Sequence, residues 1–205
     1  MQHMSGLPAV PPILHSEPLP LDLLNTNLHL DHRWLDLLDD PATRTDWLMA
    51  ESDRLATPVP ARSAGTAAVA EALKDVRTHV EHAIEPARLG RKPPAPALAG
   101  LNAAAAAAPA TLHAGWHHGG LTVTPRRQGP LAVRLAACFA EATIELLAGP
   151  DIGKVRRCEA PACVILFLAT NPRRRWCTPD ICGNRARVAR FQLRHGTTGP
   201  ARGGQ

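Results

Sequence analysis

The chain has 205 residues, 45% hydrophobic but only 3% aromatic, with no tyrosine; its core must be built from Leu, Ala and Val, which suits helices and speaks against a β-sandwich. The formal charge of +5 is uneven: residues 1–150 hold 12 Lys/Arg against 15 Asp/Glu, whereas residues 151–205 hold 11 against 3, so the last segment alone calls for a polyanionic partner, or else forms a basic solubilising end. No stretch approaches the ~20 apolar residues that span a bilayer, and the proline-rich start lacks a basic-then-apolar signal, so a cytoplasmic protein with reduced thiols is expected.

In chain order, residues 1–20 read as a flexible leader with five prolines. Leu21, Leu24, Leu28, Leu35 and Leu38 follow helical spacing and Trp34 joins the same face, so a helix is predicted there, with a kink or early break near Asn25 and Asn27. On such a helix Asp22, Asn25, Thr26 and His29 stand at i, i+3, i+4 and i+7, a polar line that either binds a small-molecule effector or caps and solvates the helix. Asp39-Asp40-Pro41 predicts a capped second helix through Trp47 and Leu48 to about Leu55. Thr66 to Ile84 is amphipathic, with Val69, Leu73, Val76, Val80 and Ile84 repeating at three or four residues.

A proline-rich linker over residues 86–96 leads into an alanine-rich helix from Leu98 to Ala108. The alternation of Leu112, Ala114 and Trp116 before His117-His118-Gly119-Gly120, and of Leu121 and Val123 after it, predicts a β-hairpin. That turn accounts for His113, His117 and His118 more simply than a second metal site does. Gly129-Pro130 opens a further helix through Leu135, Phe139 and Leu146, which Gly149-Pro150 stops; Cys138 falls on its apolar face as a core thiol. The domain boundary is placed there, giving an N-terminal domain over 21–149, a small module over 150–195 and a disordered tail over 196–205.

Four cysteines crowd the module in the pattern Cys158-x4-Cys163-x13-Cys177-x4-Cys182. Two close pairs on a short span are what a tetrahedral metal needs, each pair coming from one tight turn. Pro161 and Pro179 stiffen those turns. Four thiolates leave no open position for catalysis, so one structural Zn²⁺ is expected; two disulfides or an iron–sulfur cluster fit the compartment and the spacing less well.

The order of a C-x4-C pair, Arg174-Arg175-Trp176-Cys177 and Cys182-Gly183-Asn184-Arg185 resembles the CGNR zinc finger. Leu21-Asp22-Leu23-Leu24-Asn25-Thr26, Leu37-Leu38, an acid-Pro and Trp47-Leu48 resemble the ABATE domain that usually precedes it. Val164 and Ala169-Thr170-Asn171 depart from the Gly and Asp-x-Ser usual there, which touches the loop between the pairs and not the ligands. The resemblance implies a mainly α N-terminal domain with a small β-hairpin, followed by a treble-clef-like or ribbon-like zinc module, in a bacterial transcription regulator.

Downstream of the last ligand, Arg187, Arg190 and Arg194 are spaced to share one face of a short helix beside Phe191, while Arg185 lies nearer the zinc. Arg173, Arg174 and Arg175 form a second cluster. Arginine forks suit phosphate oxygens and guanine edges, so these residues are the candidates for DNA contact. The alternative is a docking module for an acidic protein such as RNA polymerase, with Trp176 and Phe191 as anchors. A single finger reads few base pairs, which leaves room for a homodimer through the front domain. No nucleophile elbow, phosphate loop or HExxH pattern occurs, so no enzyme activity is expected.

Overall fold

A computed structural model describes residues 15–30, 33–55, 57–117 and 119–195. Residues 1–14 of the expected leader over 1–20, the expected tail over 196–205, and Asp31, His32, Ala56 and His118 lie outside them. The chain forms a mainly α domain followed by a small cysteine-bearing module, as expected.

Three long helices build the front core. Helices α4 (Ala67–Ala87), α5 (Ala95–Ala107) and α6 (Leu131–Ala148) pack on one another, and the predicted stripe Val69, Leu73, Val76, Val80 and Ile84 is buried in full. Gly100 sits where α5 meets α4: a Cβ there would collide with the His79 ring. Helix interiors disfavour glycine by about 1 kcal/mol, so close helix approach explains it. Helix α2 (Pro41–Ala50) starts as predicted, with Asp40 accepting from Thr43 N–H at 2.7 Å, and stacks Trp47 on Phe139 of α6 at 5.7 Å. It stops at Ala50, short of Leu55, and the four-residue α3 (Ala61–Ala64) follows. Arg44 is buried in α2, and its guanidinium donates to the carbonyls of Leu38, Ala64, Gly65 and Thr66, which pins the chain entering α4.

The region after the leader differs from the helical expectation. Helix α1 covers only Leu19–Leu24, and strands β1 (Asn27–Leu30) and β2 (Arg33–Asp36) form a hairpin with Leu28 opposite Leu35 and His29 opposite Trp34. Leu28 and Leu35 meet across the hairpin, so their apolar spacing served a strand pair rather than a helix face; Trp34 is 64% exposed. The order also begins earlier than Leu21, since Glu17 and Pro20 are already buried.

The second hairpin, β3 (Thr111–His117) with β4 (Gly120–Arg126), forms where the alternation predicts it and runs two residues beyond Thr124, with Ala114 opposite Val123 and Trp116 opposite Leu121. Arg127 anchors its base, donating to Ala108 O at 2.6 Å and pairing with Glu141. Helix α6 ends at Gly149, and a 3₁₀ turn over Ile152–Lys154 leads to the antiparallel strands β5 (Val155–Arg157) and β6 (Leu166–Leu168). A π-turn over Pro179–Gly183 then runs into α7 (Asn184–His195). The buried core is continuous from α6 through Val155, Leu166 and Phe167 to the cysteines. Among the described residues no helix is long and apolar enough to cross a membrane.

Candidate metal centre and basic helix

The sulfurs of Cys158, Cys163, Cys177 and Cys182 lie within 4.8 Å of one another. Cys158 leaves the end of β5, Cys163 closes the tight loop before β6, Cys177 follows the arginine segment, and Cys182 sits in the π-turn. The loop 158–163 turns sharply because Ala162 adopts the left-handed conformation at φ 58°. Cys158 N–H donates to Ile165 O at 2.9 Å, and Cys177 N–H points at Cys158 Sγ at 3.4 Å.

Tetrahedral zinc with Zn–S bonds near 2.3 Å needs sulfur–sulfur edges of about 3.8 Å. Cys163–Cys177 is 3.9 Å, Cys163–Cys182 3.7 Å and Cys177–Cys182 3.4 Å, far longer than any disulfide. Hydrogen bonds from the Cys163 and Cys177 thiols hold Cys158 far below the ordinary thiol range, while the same crowding pushes Cys163 and Cys177 up. One thiolate forms easily and the next ones are opposed by it; a divalent cation relieves that repulsion. The donor set and spacing therefore fit a structural metal ion.

Around this centre the arginines divide into two groups. Arg174 is committed inward: it donates to Glu17 Oε1 and Cys177 O at 2.8 Å each and to Leu168 O at 3.2 Å, and it lies 4.4 Å over the Phe167 ring. Arg175 pairs with Glu159. Arg173 is exposed with no acidic partner among the described residues. On α7 the segment Asn184–His195 contains four arginines and no acid. Arg187 bonds Asn184 Oδ1; Arg190 and Arg194 hydrogen-bond carbonyls of their own helix, Arg190 also lying 6.0 Å from the Trp176 ring, and Arg185 reaches Pro161 O at 3.5 Å. Ala186 is the buried side of α7; Arg190, one turn on, lies near that side and reaches toward Trp176, while Arg194, Arg187, Phe191 and Val188 turn progressively outward, Val188 and Phe191 being 55% and 59% exposed. Trp176 is half-buried beside Gly183 and between Arg175 and Arg190, so it is less open than Phe191.

The polar line Asp22, Asn25, Thr26 and His29 does not share a helix face, because α1 ends at Leu24 and His29 stands on β1. Asp22, Asn25 and Thr26 are fully buried and occupied. Asn25 donates to Leu166 O and accepts from Leu166 N–H, both at 2.9 Å, like an added strand on the outer edge of β6. Thr26 Oγ1 donates to Leu23 O and accepts from Arg77, each at 2.7 Å. His29 Nδ1 donates to Ala162 O at 3.3 Å. The cleft beside Asn25, bordered by Trp34, Glu81 and Arg157, holds about 90 Å³, small against the 300–1,000 Å³ of ordinary ligand pockets.

Glu17, which sequence reasoning placed in a leader, joins the module to the front domain: its Oε2 accepts from Leu168 N–H and its Oε1 from Arg174, both at 2.8 Å. Its backbone N–H donates to Asp22 Oδ1 at 3.2 Å. Behind it Asp22 and Glu51, both with fully buried side chains, share the single guanidinium of Arg54. Burial raises both carboxyls, Glu51 to about 8 with the Asp22 charge adding to the rise, and Asp22 to about 7 with a smaller push from Glu17. No sequence spacing marks the contacts of Asn25 and Glu17 with the module, since their partners are 141 to 157 residues away.

Two family models match along the chain. Residues 17–150 match ABATE, described as "Putative stress-induced transcription regulator", and residues 154–195 match the CGNR zinc finger. The chain belongs to the ABATE family and carries a CGNR zinc finger. No curated protein matches it. In this ABATE–CGNR protein the four ligand positions, the Arg-Arg-Trp-Cys segment and Cys182-Gly183-Asn184-Arg185 all fall inside the finger match, and the Glu17, Asn25 and Leu166 contacts join the two matched segments.

Proposed function

We propose that this protein binds one Zn²⁺ through Cys158, Cys163, Cys177 and Cys182 and uses the finger so formed to hold duplex DNA as a cytoplasmic transcription regulator, acting by binding rather than catalysis. The observation that supports this reading is α7: Arg187, Arg190 and Arg194 line one exposed face, with no acidic partner among the described residues. Elsewhere the fold pairs its guanidinium groups readily, as at Arg54, Arg77, Arg88, Arg127 and Arg174. An unpaired arginine stripe on a metal-fixed helix is suited to phosphate oxygens or a guanine edge. Zinc supplies rigidity: Cys182 lies in the turn that runs directly into α7, so the ion sets where the helix starts. A helix of 12 residues would be marginal alone.

The acidic-protein docking reading keeps one supporting observation, the apolar Val188 and Phe191 between the arginines. Salt separates the two. Binding of zinc-loaded protein to a pool of random duplexes, read by fluorescence anisotropy, should weaken with a log–log salt slope near −3, since about three phosphates are neutralised at ~0.9 each. Replacing Arg187, Arg190 and Arg194 together by Ala should flatten the slope and leave metal content and far-UV circular dichroism unchanged. A wild-type protein with no salt slope, or a triple variant with unaltered DNA affinity, refutes the DNA reading.

A further inference from the structure

The β3–β4 hairpin departs from the usual half-buried sheet, because the chain leaves its apolar face uncovered. Its cross-strand register puts Leu112, Ala114, Trp116, Leu121, Val123 and Pro125 on one face and Thr111, His113, Thr122, Thr124 and Arg126 on the other. Such alternation is the signature of a ribbon with one covered face. Within the chain neither face is covered: Thr111, His113, Thr124 and Arg126 are exposed, and so is the apolar face, with Leu112 80% exposed, Leu121 71%, Trp116 70% and Val123 56%. Within the chain the hairpin is held at its base by Arg127, and a two-stranded ribbon without a covering layer is marginal in water.

We propose that this face is a homodimer interface, in which the hairpin of one chain lies face to face on the same hairpin of a second copy. Charge favours the second copy. The positive excess lies in residues 151–205, so a self-contact through the finger brings like charges together, whereas the hairpin face carries no charged side chain. A polyanion or an acidic protein would find no cation on it. Size agrees as well: four side chains this open present on the order of 400–500 Å² of apolar surface, the size of the largest patch on an ordinary monomer, which is often a functional one. Two such faces pressed together remove about 1,000 Å² from water, the lower bound of a specific interface. A two-fold contact needs only this one patch, because the same surface serves both partners. Pro125 offers no N–H for an added strand, which favours stacking of faces over extension of the β4 edge. The dimer does not depend on the DNA reading; where both hold, it presents two α7 helices to two half-sites.

The test is sedimentation of the full zinc-loaded chain. The wild type should sediment at twice the chain mass of 21.9 kDa. The double variant Leu121→Glu/Val123→Glu should sediment as a monomer, with metal content and far-UV circular dichroism unchanged because both side chains are exposed and support no internal packing. Trp116→Ser, at the far end of the face, should weaken the dimer at least tenfold. A wild type that stays monomeric to its solubility limit overturns the proposal, including one that instead binds lipid vesicles or another protein. A dimer that survives the glutamate pair overturns it equally.

Discussion

Asn25→Ala is the sharpest perturbation of the joint between finger and front domain. The Asn25 side chain satisfies both polar groups of the Leu166 peptide backbone, donor and acceptor, each at 2.9 Å in a residue only 2% exposed. Truncation leaves one N–H and one C=O without partners, and a buried unpaired group costs about 1–3 kcal/mol, hence roughly 2–6 kcal/mol in all. The adjoining cleft of about 90 Å³ admits water to part of this site, so the lower half of the range is expected, about 2–3 kcal/mol. Against a total stability of about 5–15 kcal/mol that is a large fraction, and for a chain of this size it lowers the melting temperature by roughly 4–12 °C.

Urea unfolding of the zinc-loaded protein measures the loss directly. Asn25→Asp should be worse than Ala, because its carboxylate can still accept from Leu166 N–H but faces Leu166 O with a second acceptor and a buried charge. Asn27→Ala is the control: Asn27 borders the same cleft but is exposed, and should change stability by less than about 0.5 kcal/mol. If Asn25→Ala proves no more harmful than Asn27→Ala, the joint described here is not what holds the finger in place.

Three further outcomes follow from the geometry. Glu51 and Asp22 are buried with one guanidinium between them, and both carboxyls are raised, so the folded state binds more protons than the unfolded one between about pH 4 and 8. Their contribution is complete below the ordinary carboxylate range and fades as pH rises towards 8; Glu51→Gln should visibly flatten that decline when unfolding free energy is measured against pH. Ala162→Gly removes the strain of a left-handed alanine in the 158–163 loop and should raise stability by about 0.5–1 kcal/mol in urea, whereas Ala162→Val should lower it. Cys177→Ser should abolish stoichiometric metal binding and, because the core runs unbroken from α6 into β5 and β6, should also lower the unfolding midpoint of the front helices; an unchanged midpoint for those helices would show the finger to be an independent unit.

What could be read from residue order was what local spacing determines. The stripe Val69, Leu73, Val76, Val80, Ile84 specifies α4 by itself, and alternation around Gly119-Gly120 specifies the second hairpin. The ligand cysteines were equally readable, because each pair closes a loop of four intervening residues. The first hairpin was hidden because Leu21, Leu24, Leu28 and Leu35 satisfy a helical period as well as a helix followed by a strand pair. What ends the helix is the tertiary bond of Asn25 to Leu166, and no window of sequence contains both. Arg174 was grouped with its neighbours as a nucleic-acid contact for the same reason: Glu17, which claims it, lies 157 residues away. The open apolar face of β3–β4 was unreadable too, since alternation reveals that a strand has an apolar side but not whether the chain covers it.

The two arginine groups, taken together, place the finger as a rigid link rather than a tethered appendage. Arg174 ties the metal loop inward: one guanidinium holds Glu17 of the front segment, the Leu168 carbonyl of β6 and the Cys177 carbonyl beside the metal. Asn25 fixes the outer edge of β6 in the same direction. On the far side, Cys182 passes the constraint into α7, where the arginines have no acid to hold them. Each connection is a short polar bond or runs through the four-cysteine cluster, with little slack between α1 and the exposed stripe. A variant that loosens the α1 contact, such as Asn25→Ala, is therefore expected to speed amide exchange in α7 of the metal-loaded protein, and unchanged exchange there would show the two ends to be uncoupled.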